Sequence, residues 1–341
     1  MLYRKYLGID LGTDNTRIYV KGKGVIVNQP SIVSFNNRTN RIVAVGTRAK
    51  EMLARTPSHI TAMHPIENGV TADFDMAKEM IRMFMEHNGV PWSFLTEAIV
   101  TVPTNLTEVE RKSAVDLFKE IGANHVHLLQ QPLAAAFSNR LEVYEPSARL
   151  ILDIGAGSTD MAVISMGGIV ISRRIKIAGN RFNADIMRNV RDALHLEIGE
   201  PTAEKIKLSV GSARPKGNTH LEVAIRGRDA VSGLPREERV KDSSVREWIM
   251  PSLKKIIETM KTLVEATPAE LVGDIYKDGC YLCGGGSLLF GLGGLIEREV
   301  GVKVQIMEEP MTSVVRGAGV VTEHFDAYRL ALEGPAQAVE A

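Results

Sequence analysis

Two short glycine turns carry residues of the right type and spacing to hold phosphates. Gly12-Thr13-Asp14-Asn15 follows an apolar run containing Asp10, and Gly155-Ala156-Gly157-Ser158 follows a like run containing Asp153. Glycine lets backbone N–H groups approach a phosphate closely, and Thr, Asn and Ser side chains add donors. Two such turns facing each other would clasp a polyphosphate from both sides. Asp10 and Asp153 would then stand beside the phosphates. Like charges repel unless a hard cation lies between them, so both carboxylates imply Mg2+, held through its waters. One turn alone would read as a plain hairpin with Asp as turn former. The pair in matching context favours a nucleotide site.

Other residues suit the rest of a nucleotide. Gly284-Gly285-Gly286-Ser287 follows an apolar run and opens a predicted helix. Three glycines would let a flat base and ribose lie on backbone, whereas alone the segment is a plain loop. Glu204 and Lys207, three apart on one face of a predicted helix, suit ribose hydroxyls or the base, or form a solvated ion pair. Cys280 and Cys283 lack a second cysteine pair, which weakens a zinc or redox reading and leaves two buried cysteines on a core strand.

An internal repeat positions these turns. With Asp10 set over Asp153, the same offset matches Gly12 to Gly155, Thr16 to Thr159, Val20 to Val163, Gly24 to Gly167, Ile26 to Ile169 and Val27 to Val170. Each copy reads as three strands joined by glycine turns. The later segments repeat as well. An apolar run at 98–102 precedes a helix to about Ile121 opened by the capping box Thr107 and Glu110, and strand 125–130 leads into Gln130-Gln131-Pro132 and another helix. In the second half a strand near 279–283, a helix from about Ser287, and strand 302–307 before Glu308-Glu309-Pro310 follow the same order. Two related α/β lobes with a cleft between them are expected. Segments 31–65 and 180–240 read as small insertions, and 244–266 as an amphipathic helix capped by Ser244 and Glu247.

Composition bounds the rest. The 341 residues suit about two domains. Lys plus Arg equals Asp plus Glu at 41 each, which argues against a nucleic-acid partner. The 44% apolar content is that of a globular chain. There is no run of about 18 apolar residues and no room for a signal peptide, so a cytoplasmic protein is expected.

The segments GIDLGTDNT, DIGAGSTD, QQPLAAA, AGNRFNADI, AEKIKLSVGSA and CGGGSLLFGL resemble the actin, heat-shock chaperone and sugar-kinase ATPase superfamily. VKGKGVIVNQPSIV, AVGTRAKEMLARTP, HPIENGVTADF, VPTNLTEVERKSA and EEPMTSVVRGAG narrow the resemblance, from about residue 5 to 325, to the MreB-like bacterial actins. The resemblance implies an actin-like ATPase fold of two duplicated ribonuclease H-like lobes. Its subdomains would be IA (1–30, 66–145, 315–341), IB (31–65), IIA (146–179, 241–314) and IIB (180–240). It implies ATP-dependent filaments that bind the inner face of the cytoplasmic membrane and organise cell-wall synthesis and rod shape, with transmembrane partners of the MreC, MreD and RodZ type. By resemblance, Asp10 and Asp153 become the Mg2+-side carboxylates. Gly12, Thr13, Asp14, Asn15, Gly155, Ala156, Gly157 and Ser158 line the phosphates, and Gly179, Glu204, Lys207 and Gly284 to Ser287 the ribose and base of ATP or ADP.

Two positions depart from the family pattern. Gln131 stands where these proteins usually have Glu, and Ala156 where they usually have Gly. Glu can take a proton from attacking water, whereas Gln can only orient it, so hydrolysis is expected to be slow but present. Eukaryotic actin also carries Gln there. Trp92, Phe94 and Leu95 fall between a predicted helix at 75–88 and strand 98–102. An aromatic cluster is often buried core, but this loop follows Gly89 and Pro91, and the family places a membrane-inserting loop in this region, so lipid contact is expected. A small-molecule kinase would need an acceptor-side carboxylate beyond Asp10 and Asp153, and none is evident. A chaperone would need a substrate-binding domain, and only about 15 residues follow the last predicted helix. A filament that positions a plasmid or organelle stays open as the alternative.

Overall fold

The computed structural model describes residues 4–53, 56–90, 92–93, 95–215, 217 and 221–332. Its frame is two five-stranded sheets of one topology. In the first, the order is His125–Gln130, Thr96–Val102, Lys5–Leu11, Asn15–Val20, Gly24–Pro30. In the second it is Val304–Ile306, Cys280–Cys283, Arg149–Ile154, Thr159–Ser165, Gly168–Ile175. In both, the strand bearing the acidic residue is central, with an antiparallel meander on one side and parallel strands on the other. The repeat seen in the sequence is therefore a repeat of topology.

The parallel strands are covered on both faces, which explains their continuous apolar runs; every residue of Thr96–Val102 is buried. Successive side chains alternate between two cores. Ala98 and Val100 join the outer core beneath helices Phe74–His87 and Glu108–Ile121, whereas Ile99 joins a central core. Ile151, Ala162 and Cys283 of the second sheet enter that same central core. Helices Gln131–Ser138 and Ser313–Glu323 lie between the sheets and pack closely on each other. A side chain at Gly317 would strike the Ala134 backbone, so glycine sets how near these helices approach. The outer core of the second lobe forms under Gly179–Leu194, Asp242–Glu265 and Leu292–Val300. Two small three-stranded sheets project from the frame: Val33–Asn36, Arg41–Val45 and Ile60–Met63, and Leu196–Glu197, Glu222–Asp229 and Pro235–Lys241.

Local signals mostly hold. Thr107 and Glu110 form the expected capping box of Glu108–Ile121. The Ser244–Glu247 box does not form. Strand Pro235–Lys241 runs straight into helix Asp242–Glu265, and the Asp242 N–H already donates to the Leu221 carbonyl. The helix expected from Ser287 is a single 3-10 turn, Gly285–Leu288, and the α-helix begins at Leu292. Both cysteines are free and fully buried, as expected of core strand residues.

Candidate nucleotide site

The two central strands end in equivalent carboxylates. Asp10 lies opposite Arg17 on the neighbouring antiparallel strand and beside Thr101 on the parallel one. Asp153 lies opposite Asp160 and beside Cys283. Directly opposed residues share a sheet face. Arg17 donates to Asp10 at 3.3 Å, as does the Thr101 hydroxyl. The offset that relates Asp10 to Asp153 also relates Arg17 to Asp160, so the first lobe has a cation where the second has an anion. Neither Arg17 nor Asp160 was assigned a role from sequence. The hairpin register that pairs each with its aspartate was the available signal.

These carboxylates are held against their ordinary chemistry. Burial raises Asp10 above its usual range, against the pull of Arg17. Burial, then the charges of Asp160 and Asp10, push Asp153 up to about 7. Burial also raises Asp160, although it accepts the Thr104 N–H and hydroxyl, both at 2.8 Å. Three buried carboxylates thus lack enough positive charge. Among the described residues, no group of three His, Cys, Asp or Glu side chains is arranged to grip a metal ion alone. A hard cation that draws most of its ligands from water and phosphate fits this donor set. The buried Nε atoms of Arg17 and Arg174 have no hydrogen-bond partner, so each lobe also keeps cationic donors in reserve.

The glycine turns meet across the cleft. Gly12 N–H donates to the Asn15 carbonyl at 3.1 Å, and Gly155 N–H to the Ser158 carbonyl at 3.1 Å, which gives the two loops the same tight form. Thr13 Oγ1 accepts the Gly69 N–H at 2.9 Å. A β-carbon at Gly157 would stand 2.6 Å from that Thr13 oxygen and 2.8 Å from Asn68 Cα. Arg174 of the second lobe donates to the Asn68 carbonyl and pairs with Asp160. Thr104, Asp160, Arg174 and Asn68 therefore bind lobe to lobe around the turns. Asp14 sits at the rim, bonded to Asn15 and 3.6 Å from Lys50.

The remaining expected residues divide. Helix Gly179–Leu194 starts against the second turn, with Gly179 N–H donating to the Gly155 carbonyl and Asn180 N–H to that of Ala156. Lys207 donates to the Gly179 carbonyl at 3.2 Å and to Glu204 at 2.6 Å, and Asn183 donates to Glu204 at 2.7 Å. Glu204 and Lys207 are thus an ion pair built into the rim beside Gly179, not a freely solvated one. Gly284, at φ 76°, packs on Asp153, and Gly286 on Ile154, while a β-carbon at Gly285 would meet open space. Ser287 turns inward, 1% exposed, and its hydroxyl donates to the Gly284 carbonyl. Gln131 is buried at the first turn of helix Gln131–Ser138. The strand before it lies two places from that of Asp10, so the backbones of Leu129, two residues before Gln131, and Asp10 are roughly 10 Å apart. That span accommodates a terminal phosphate and a water.

Trp92, expected at a lipid boundary, is half-buried in the outer core of the first lobe. Its ring lies 5.9 Å from that of Phe118. It tethers its loop to the core instead of projecting from it. Phe94 lies outside the described residues, and Leu95 is half-buried with its carbonyl accepting the Lys5 N–H at 3.0 Å. Trp92→Ala should therefore cost about 2 kcal/mol of stability, measured by urea unfolding. A loss under about 0.5 kcal/mol would show that the ring does no packing.

Two duplicated lobes, each ending its central strand in a buried aspartate beside a glycine turn, with the turns opposed across a cleft, define an actin-like fold. Comparison with known proteins specifies it further. A family model described as MreB/Mbl protein matches residues 4–330, and the chain belongs to this family. It is 40% identical over 326 residues to the cell shape-determining protein Mbl of Bacillus subtilis, covering 95% of this chain and 98% of that one. It is 38% identical over 333 residues to the cell shape-determining protein MreB of Escherichia coli, covering 96% of each. The crystal structure of MreB5 of Spiroplasma citri bound to AMPPNP superposes with a TM-score of 0.92 at 33% identity, covering 97% of this chain and 99% of that one.

Proposed function

We propose that the chain is an ATP-binding, slowly hydrolysing bacterial actin whose filaments associate with the inner face of the cytoplasmic membrane and serve cell shape. The observation that carries this reading is the opposition of the two glycine turns around three undercompensated buried carboxylates. Relatives across the full chain bear the name cell shape-determining protein, and the MreB5 structures hold AMPPNP and ADP. The four-subdomain division, cell-wall partners of the MreC, MreD and RodZ type, and lipid contact by the 92–95 loop belong to the same proposal. No helix among the described residues is long and apolar enough to cross a membrane, so lipid contact would be peripheral.

In this reading the N–H groups and hydroxyls of both turns bind the phosphates. Asp10 and Asp153 would hold Mg2+ beside the phosphates, where the ion would supply charge neutralisation. Gln131 orients the attacking water by hydrogen bonds and cannot remove its proton. Gln131→Ala should slow phosphate release about 30-fold with ATP affinity changed less than threefold, as read by single-turnover assay. Unchanged release would remove Gln131 from the reaction. Because Trp92 is a packing residue, the loop's lipid contact is tested with Phe94→Ser, which should weaken vesicle pelleting severalfold without lowering the melting temperature. Equal pelleting would exclude Phe94 from the contact.

A further inference from the structure

The two glycine turns match in sequence, yet different groups hold their carbonyls. In the second lobe the Gly155 and Ala156 carbonyls accept the Gly179 and Asn180 N–H groups, at 3.2 and 2.8 Å. Both donors are backbone at the start of helix Gly179–Leu194, so no side chain decides these bonds. In the first lobe the Gly12 carbonyl, which the repeat sets over that of Gly155, accepts the Ser31 hydroxyl at 2.7 Å. The Asp14 carbonyl accepts the Ser31 N–H at 2.9 Å. One residue thus holds two carbonyls of the first turn, and one of those bonds depends on its side chain.

Ser31 lies outside the turn, between strands Gly24–Pro30 and Val33–Asn36, and is fully buried. Its single hydroxyl proton goes to Gly12, so the Thr16 hydroxyl, 2.9 Å away and equally buried, donates to Ser31 in turn. The equivalent Thr159 instead donates to the Ile177 carbonyl at 2.6 Å. A trans peptide points its C=O and N–H in opposite directions. The Gly12 carbonyl fixed on Ser31 therefore aims the Thr13 N–H the other way, and the Gly155 carbonyl fixed on Gly179 does the same for Ala156. Neither of these N–H groups has an acceptor among the described residues. Both stand in the facing turns, where a β-carbon at Gly157 would already touch Thr13.

We infer that Ser31 is a positioning residue for the nucleotide. Its hydroxyl, by holding the Gly12 carbonyl, aims the Thr13 N–H at a phosphate oxygen, opposite the backbone-held N–H of Ala156. Without that hydroxyl the Gly12 carbonyl loses its partner, and Gly12 has no side chain to resist rotation of the Gly12–Thr13 peptide. A peptide turned over presents a carbonyl where the N–H stood, and repels an anion instead of attracting it. The second turn is safe from this failure, because its carbonyls rest on backbone donors that no substitution removes. The inference rests on the nucleotide-binding reading above and names a residue outside both turns on which that site depends.

The test is calorimetric titration of the full chain with Mg-ATP, beside NMR of isotope-labelled threonine amides, with the Thr13 signal identified by its loss in Thr13→Ser. In wild-type protein the Thr13 amide proton is expected to move downfield on binding. Ser31→Ala should bind Mg-ATP about 30-fold more weakly, as one misaimed donor to a charged acceptor would cause, and its Thr13 amide should move less than half as far. Ser31→Cys keeps a weaker donor and should lie between the two. Thr267→Val loses the same kind of bond elsewhere, a buried hydroxyl on the Leu263 carbonyl at 2.9 Å, and should bind within about twofold of wild type. Wild-type affinity in Ser31→Ala, or in Ser31→Cys where the alanine variant does not fold, would overturn the positioning role. Equal losses in Ser31→Ala and Thr267→Val would overturn it too, since stability alone would then explain them. A Thr13 amide that ignores Mg-ATP in wild-type protein that binds it would place the phosphates elsewhere and have the same consequence. Wild-type protein that does not bind Mg-ATP would overturn the nucleotide reading itself.

Discussion

Gly157→Val is expected to weaken ATP binding about 1,000-fold and leave the protein folded. A β-carbon there would stand 2.6 Å from Thr13 Oγ1, 2.8 Å from Asn68 Cα and 3.0 Å from Asn68 N. The second and third of these atoms belong to backbone and cannot swing aside. The isopropyl group then fills the space between the opposed turns and forces them apart. Each turn keeps its internal N–H to carbonyl bond, so single-turn binding survives at a remnant level. Stability should change little, because the position lies at a cleft and each lobe has its own outer core. Calorimetric titration with Mg-ATP, beside a thermal melt, checks both halves. Affinity within tenfold of wild type would mean that the turns do not share one ligand.

Asp153→Asn is expected to stabilise the nucleotide-free protein at neutral pH, an effect opposite to that of most buried substitutions. The folded state holds the Asp153 proton up to about pH 7, whereas the unfolded chain releases it near the ordinary 3.8. Below both values the group is protonated in either state and favours neither. As pH rises from about 4 to 7 the unfolded state loses its proton first, and stability falls. Above pH 7 the full penalty, on the order of 4 kcal/mol, remains. Asparagine carries no charge, so the variant should lack this part of the decline and lie about 4 kcal/mol above wild type at pH 7.5 in urea unfolding without nucleotide. Asp10 and Asp160 are raised in the same direction and contribute to both proteins, so only the difference isolates Asp153. Mg-ATP should reverse the order, because the carboxylate that costs stability when alone is the one that attracts the cation. Parallel pH curves for the two proteins would contradict the buried-charge account.

What the sequence made legible was whatever repeats or alternates. The offset linking Asp10 to Asp153 foretold two sheets of one topology, since equal strings of strand and turn residues fold alike. Thr107 and Glu110 marked a helix start because their bonds are local. The lobe-to-lobe contacts were not legible, because nothing local links Asp160 to Thr104 or Arg174 to Asn68. Arg17 could have been paired with Asp10 by extending the hairpin register, but its unpartnered Nε appears only in three dimensions. Trp92 shows a third limit. Loop sequences carry no periodicity, so composition could say that an aromatic belongs at a boundary, yet not that its ring turns back onto Phe118. Ser244 misled because the helix has already begun at Asp242, so the N–H groups its side chain would cap lie inside the helix, and the chain after the glycines makes only a 3-10 turn before the helix starts at Leu292.

We propose that the opposed turns couple one nucleotide to assembly. High-speed sedimentation with negative-stain microscopy, comparing Mg-ATP with nucleotide-free protein, tests it most directly. Filaments are expected in the Mg-ATP pellet, few without nucleotide, and none for Gly157→Val in either condition. Wild-type protein that binds Mg-ATP and stays a soluble monomer at every concentration tried would contradict it.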